Sequence, residues 1–385
     1  MDKKTQIVFN LNNFLLSISN AIDYTSKEYF NISLGHSKRV AYISLKIANE
    51  LNFSNEQKFD LCAYCLSANL GLYERKKLSK ESCELSQEYA NRLPFLTQNN
   101  DILKYSHEKV DGSGFYGLKN DEIPLFSQII SFVSSLDINF DLSNNSIENI
   151  NNIKDFCKEN SNILFKEEFS NYFLSYSKSS SFWLDLQNEN EILFYIFSNL
   201  LDYSKVLSYD ELLEITSIFE KIESKDTKLL IILEKVIDYY AFEYKDKMSL
   251  LITASLSKIG KFIIPSNILN KKDKLDEEEY ELVKAYPYYN RKFLCNIIGF
   301  NDISIWASKV QERIDGSGYP YLYEAKDLSL KDRILQCAII YDALISKKVY
   351  RNEYSHEKAI EIMYEMARNN KIDETIVKDF ENTLE

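Results

Sequence analysis

An all-α protein made of two tandem helical bundles is the fold class this sequence predicts, and three observations carry it. Apolar residues recur at three- and four-residue spacing, as in HSKRVAYISLKIANEL, where Val40, Ile43, Ile47 and Leu51 share one helical face. Runs of alternating apolar and polar residues long enough for a sheet are missing. The tetrapeptide DGSG occurs twice, at 111–114 and 315–318, and takes four of the nine glycines, which marks an internal repeat.

In chain order, the opening stretch MDKKTQIVFNLNNFLLSISNAIDY interrupts its apolar run with Asn and Ser and lacks a small-residue cleavage site. It reads as the first helix of a cytoplasmic protein. After the helix at 36–51, Ser54 with Gln57, Ser208 with Glu211 and Asp276 with Glu279 have capping-box spacing, in which side chain and backbone satisfy one another's free donors. Two Asn- and Ser-rich stretches, DLSNNSIENINN and SYSKSSS, read as loops. The helical run FWLDLQNENEILFYIFSNLL follows the second, so the division falls near 180–205 and gives domains 1–190 and 191–385. A length of 385 residues suits this, since domains usually hold about 100 to 200.

Composition narrows the function. Hydrophobic residues at 45% and charged ones at 27% describe an ordinary globular chain. No apolar run approaches the ~18 residues of a membrane span, so no membrane segment is expected. A formal charge of −12 argues against nucleic acid, whose phosphates require gathered lysines and arginines. The six cysteines lack the spacing of a zinc site and read as reduced core thiols, the close pair Cys62 and Cys65 included.

SHEKVDGSGFYGLKNDEIPLFSQIISFVSSLD and VQERIDGSGYPYLYEAKDLSLKDRILQCAIIYDALISKKVYR both resemble the signature half of HD-GYP domains, bacterial members of the HD phosphohydrolase superfamily. LLITASLSKIGKFIIPSNILNKKDKLDEEEYELVKAYPYYNRKFL is similar to that family's first half, and NISLGHSKRVAYISLKIANELNFSNEQKFDLCAYCLSANLGLYE is more loosely so. The resemblance implies a helical bundle that hydrolyses cyclic di-GMP with two or three iron or manganese ions held by histidines and aspartates. Such ions ionise a bound water near neutral pH, so the ligands are indispensable to that chemistry.

Carried over residue by residue, the implied ligands are depleted. In the second copy the His-Asp pair falls on Ser257 and Lys258, the proline-linked histidine on Tyr286, and the paired histidines on Val310 and Gln311 before Glu312. The ligand aspartate of the next helix falls on Ile339, with a later family aspartate kept as Asp342, and an early histidine has no counterpart near Asp226. In the first copy His36 matches the opening histidine and His107 the second of the pair, whose first is Ser106. Ala68 and Asn69 replace His-Asp, Ser134 replaces the helix aspartate, and Asp137 matches the later one. His356, the third and last histidine, reads as a solvated residue at a helix start.

These losses lead to the expectation of a catalytically inactive regulator of cyclic di-GMP signalling, with no cofactor and no intact metal site. His36 and His107 are the remnant candidates for a single ion, with Glu108 or Asn69. The alternative is a metal-dependent cyclic di-GMP phosphodiesterase, with iron or manganese, whose atypical site in the first domain uses His36, Asn69 and His107. The loop Asp315, Gly316, Ser317, Gly318, Tyr319 and Pro320 keeps the family's Gly-Tyr-Pro, and resemblance implies a protein partner there, such as a diguanylate cyclase domain. Lys347, Lys348 and Arg351 are expected to hold the phosphates of cyclic di-GMP.

Overall fold

The structure is a computed structural model and describes residues 4–75, 77–222, 227–347 and 352–384. The chain forms two compact units: Asn10–Ser204, and Lys205–Glu385 joined by Met1–Phe9. The division expected after residue 190 and that seen after Ser204 differ by one helix, which packs within the first unit. Almost everything regular is helical, as the apolar spacing predicts.

In the first unit α1 (Leu11–Phe30) starts at Asn10, whose side chain accepts from Asn13 N, and stops at Asn31 in the left-handed region. Next, α2 (His36–Glu50) is buried from His36 through Leu45, including Val40, Ile43 and the charged Lys38 and Arg39. Fully burying each Val or Ile contributes roughly 1.5–3 kcal/mol. Around α2 pack α1, α3 (Asn55–Ser67) and, after α4 (Leu70–Arg75) and α5 (Lys80–Ala90), α6 (Leu125–Phe140). The unit closes with α7 (Ile147–Glu159), α8 (Glu167–Tyr176), α9 (Ser180–Asp185) and α10 (Glu189–Asn199), of which α8 and α10 pack on α2.

The second unit begins with a two-stranded antiparallel ribbon, β1 (Gln6–Phe9) against β2 (Lys205–Ser208), with Ile7 opposite Leu207. Its helices are α11 (Tyr209–Thr216), α12 (Leu229–Tyr239), α13 (Tyr244–Leu256), α14 (Ser266–Leu269), α15 (Glu277–Lys284), α16 (Tyr286–Leu294), α17 (Asn301–Ser308), α18 (Leu330–Ile345), α19 (His356–Arg368) and α20 (Glu374–Leu384). Helix α13, buried from Met248 to Leu256, is central and is packed by α11, α12, α17 and α18.

All three expected capping boxes form, at Ser54, Ser208 and Asp276. Two local readings are corrected. The N-terminal stretch holds a strand before its helix, because Ile7 and Phe9 turn inward while Val8 faces out, and the Asn10 cap separates strand from helix. Within DLSNNSIENINN, residues from Ile147 on are helical: Ser146 accepts from Asn149 N, and Ile153 and Cys157 bury one face. Composition hid a short helix whose apolar face is only two residues wide. Among the described residues no helix is long and apolar enough to cross a membrane.

Candidate active site

The two DGSG loops have the same internal construction. Asp111 Oδ1 accepts from Ser113 N at 2.9 Å, and Asp315 Oδ1 accepts from Ser317 N at 2.9 Å, closing a turn that Gly112 and Gly316 complete at φ of +85° and +77°. The loop then folds back over a glutamate. Glu108 accepts from Tyr116 N and Leu118 N, both at 2.9 Å; Glu312 accepts from Tyr321 N at 2.7 Å and Tyr323 N at 3.0 Å. Gly114 and Gly318 permit that approach, since a Cβ at Gly114 would lie 2.5 Å from Glu108 Oε1 and one at Gly318 would lie 2.4 Å from Glu312 Cα. The glutamate of each motif is therefore a loop staple. In the second unit the Tyr319–Pro320 bond is cis and Asp315 and Ser317 are exposed.

Beneath the first loop lie the two histidines of this unit. His36, 2% exposed, is set at the start of α2 by Gly35, whose φ is +89°. Its Nδ1 lies 2.6 Å from Asp137 Oδ2 on α6, and since an ionised carboxylate only accepts, Nδ1 donates. Nε2 faces Ser134 Oγ at 3.4 Å. One turn along α2, Arg39 grips the same carboxylate with Nε and Nη2, each at 2.9 Å. Burial raises the pKa of Asp137, but the Arg39 charge and the bonds from His36 and Arg39 outweigh it and hold the carboxyl below the usual carboxylate range. Arg39 went unremarked in the sequence, although its position three residues after His36 on a helix is the signal that it shares that face.

His107 keeps a small solvent-facing surface yet is packed in protein, and burial followed by the nearby His36 lowers its pKa from 6.5 to about 4. It is a neutral imidazole at pH 7. Its ring lies 6.5 Å from that of Phe115, and it has no hydrogen-bond partner among the described residues. Asn69, 4% exposed, donates to Ser26 Oγ at 3.1 Å. The structure thus places His36, Ser134, Asn69 and His107 in one unit, and His36 and His107 near enough to interact electrostatically. Glu108, the other partner considered for an ion, has both oxygens committed to the loop.

The second unit fills the corresponding centre with its own side chains. Lys258 Nζ lies 3.6 Å from Asp342 Oδ2, with side chains 9% and 3% exposed. Asp342 also accepts from Thr227 Oγ1 at 2.9 Å and from Lys228 N at 2.8 Å, just before α12. Gln311 donates to Tyr286 OH at 2.9 Å, so residues at two positions that resemblance gives to ligand histidines bond directly to each other. Val310 and Ile339 are buried and apolar. Lys347 is exposed, whereas Lys348 and Arg351 lie outside the described residues. His356, half-buried at the first position of α19, shares a 2.7 Å hydrogen bond with Tyr341 OH. Five of the cysteines are buried, Cys295 is exposed, and all are free thiols.

The HD domain family matches residues 26–140 and 212–376, well over half of the sequence. The chain belongs to the HD domain family. This HD domain protein is 22% identical to 3′3′-cGAMP-specific phosphodiesterase 1 of Vibrio cholerae over 384 residues, covering 92% of the chain and 87% of that relative. It is 36% identical to 3′3′-cGAMP-specific phosphodiesterase 3 of the same organism over 120 residues, which is 31% of the chain and only 26% of the relative. A crystal structure of a cyclic GMP-AMP-specific phosphodiesterase of V. cholerae matches with a TM-score of 0.66 at 19% identity, covering 98% of both chains, and so shares the fold.

The HD-GYP resemblance and the all-α fold are borne out. Two expectations are corrected. Catalytic inactivity is overturned by relatives that carry the names of phosphodiesterases, one of them along nearly the whole chain, which favours the alternative of catalysis. The expectation of no cofactor is overturned by its likeness to HD-GYP phosphodiesterases, which are metal-dependent. The donor set, however, does not fit a centre of two or three ions. His36 Nε2 and His107 are two imidazoles at most, Glu108 has both oxygens on the loop, and no group of three His, Cys, Asp or Glu residues able to hold a metal occurs among the described residues.

Two predictions follow from these buried charges. Because His107 titrates at about 4 when folded and at 6.5 ordinarily, the unfolded chain takes up the proton first on acidification. Its stabilisation is complete above 6.5 and is lost progressively toward 4, by up to about 3 kcal/mol. Asp137, depressed from 3.8, adds a further loss below that value. Urea unfolding at a series of pH values will show both losses, and His107→Gln will remove the first while sparing the second. Lys258→Met, which strands the Asp342 charge, will cost about 3 kcal/mol in the same assay, and Lys258→Met with Asp342→Asn will recover part of it.

Proposed function

We propose that this HD domain protein is a phosphodiesterase of 3′,3′-cyclic dinucleotides, cyclic GMP-AMP or cyclic di-GMP, with its reaction site in the first unit at His36, Asn69 and His107. The observation that supports the first unit over the second is the contrast between their centres. The second is closed by Lys258–Asp342 and Gln311–Tyr286, whereas the first keeps a neutral imidazole, His107, without a hydrogen-bond partner among the described residues. The names of the relatives support the substrate class. The cytoplasmic setting expected from the sequence is part of this proposal.

What these residues contribute follows from their protonation. His107, uncharged at neutral pH, offers a lone pair to a water or a hydrogen bond to a phosphate. His36 is fixed in orientation by Asp137, and the Arg39 charge balances that carboxylate. Family membership calls for iron or manganese, whose chemistry would be to ionise the attacking water. The described residues do not complete such a centre, so no step is derived through one. A second proposal concerns the loop Asp315–Pro320: the exposure of Asp315, Ser317 and, at 66%, Leu322, on a loop pinned by Glu312, supports a surface for a protein partner.

The hydrolytic reading is tested by incubating the protein, prepared with iron or with manganese, with each cyclic dinucleotide and separating the products. A linear dinucleotide is expected, and His107→Ala will reduce its rate by about 100-fold or more. No linear product from either substrate with either ion overturns the reading. For the partner surface, Asp315→Lys with Leu322→Asp will abolish co-elution with a diguanylate cyclase domain while leaving hydrolysis unchanged; unchanged co-elution removes that surface.

A further inference from the structure

We propose that Phe115 is the platform on which a purine base of the dinucleotide stacks in the first unit, with Lys80 and Lys104 supplying positive charge to its phosphates. The inference rests on the cyclic-dinucleotide reading above and adds the residues that recognise the ligand. Phe115 is 42% exposed on a loop whose backbone is pinned on both sides of it. The ring is therefore held outward rather than tucked into the unit. Glu108 fixes the backbone N–H groups of Tyr116 and Leu118, immediately after Phe115, and the space beside Gly114 is already taken by Glu108.

The surroundings of the ring suit a nucleotide. His107, 6.5 Å away with its ring inclined by 60°, is a neutral imidazole whose nitrogens have no hydrogen-bond partner among the described residues. An apolar face beside an uncommitted hydrogen-bonding edge is what a heterocyclic base requires. On the next residue, Tyr116, the ring carries Lys80 Nζ at 4.3 Å and Lys104 Nζ at 5.4 Å, and meets the Tyr105 ring edge-on at 5.1 Å. Neither lysine forms an ion pair among the described residues, so both charges stand available to a phosphate in a chain whose net charge is −12. Glu84, which accepts from Tyr116 OH at 2.9 Å, lies on α5 one turn after Lys80 and sets a carboxylate beside this cluster. Basic side chains interleaved with aromatic faces are the arrangement that holds nucleotides without reading sequence.

The second unit provides an internal contrast. There the DGSG loop continues with Tyr319–Pro320, both half-buried, and Tyr319 is shielded enough for burial to push its phenol up out of the ordinary range. The same loop construction presents an open phenyl in one unit and a covered phenol in the other.

Titration of 3′3′-cGAMP into the full chain by calorimetry, with the wild type and Phe115→Ala, Phe115→Leu and Phe115→Tyr, tests the assignment. Loss of the ring in Phe115→Ala and Phe115→Leu is expected to raise Kd about 10-fold, while Phe115→Tyr, which keeps a stacking face, stays within about 2-fold of wild type. Lys80→Glu with Lys104→Glu is expected to weaken binding and flatten its dependence on salt. Phe115 is exposed, so an unchanged melting temperature will accompany the effects of its three substitutions. Wild-type affinity in both ring-less variants overturns the platform and leaves the dinucleotide reading standing. No binding by the wild-type chain overturns both.

Discussion

A carboxylate carried into the centre of a helical bundle must meet a cation or hydrogen-bond donors, because leaving it unpaired would cost several kcal/mol. Each unit of this protein contains such a carboxylate on a 16-residue core helix, Asp137 on α6 and Asp342 on α18, and each solves the problem differently. Asp137 takes the bidentate guanidinium of Arg39 and the imidazole of His36, both from α2. Asp342 takes the ammonium of Lys258 with the hydroxyl and backbone N–H supplied just before α12. In the first unit this fixes how α2 meets α6, and with it the orientation of His36. In the second it plugs the centre with a side chain.

That difference decides where chemistry can reside. A lysine buried at 9% exposure beside Asp342 neutralises the carboxylate from within and leaves no negative well for an added cation. Gln311 and Tyr286, bonded to each other, do the same with hydrogen-bonding capacity that imidazoles would otherwise offer outward. His107 remains without a hydrogen-bond partner among the described residues, under a loop that a stapling glutamate keeps in place, and this contrast is what supports the first unit in the function proposed above.

The loops show how motif and function separate physically. DGSG survives in both copies because its glycines meet backbone requirements: a positive φ at the second position and a close approach to glutamate at the fourth. Glu108 and Glu312 survive for the same reason, since each satisfies two loop N–H groups that would otherwise lack partners. The residues that follow are free of that constraint and diverge, Phe115–Tyr116 in one unit and Tyr319–Pro320 in the other.

The sequence alone determined the helical class, the recurrence of DGSG and the capping boxes, because apolar periodicity and short-range side-chain to backbone bonds are local properties that a chain carries wherever it goes. It also named His36, His107 and Asn69, through resemblance to a family whose members place ligands there, and Asp137, through resemblance to a later aspartate of the same family. Tertiary structure decided what those residues do: that Arg39 shares Asp137 with His36, that Glu108 holds a loop, that Lys258 answers Asp342 from 84 positions away along the chain. The early strand Gln6–Phe9 belongs to the same class, since its partner Lys205–Ser208 lies far along the sequence. Pairings of that kind depend on which helices and strands come together, and charge balance in a buried centre is set by partners that no local pattern announces.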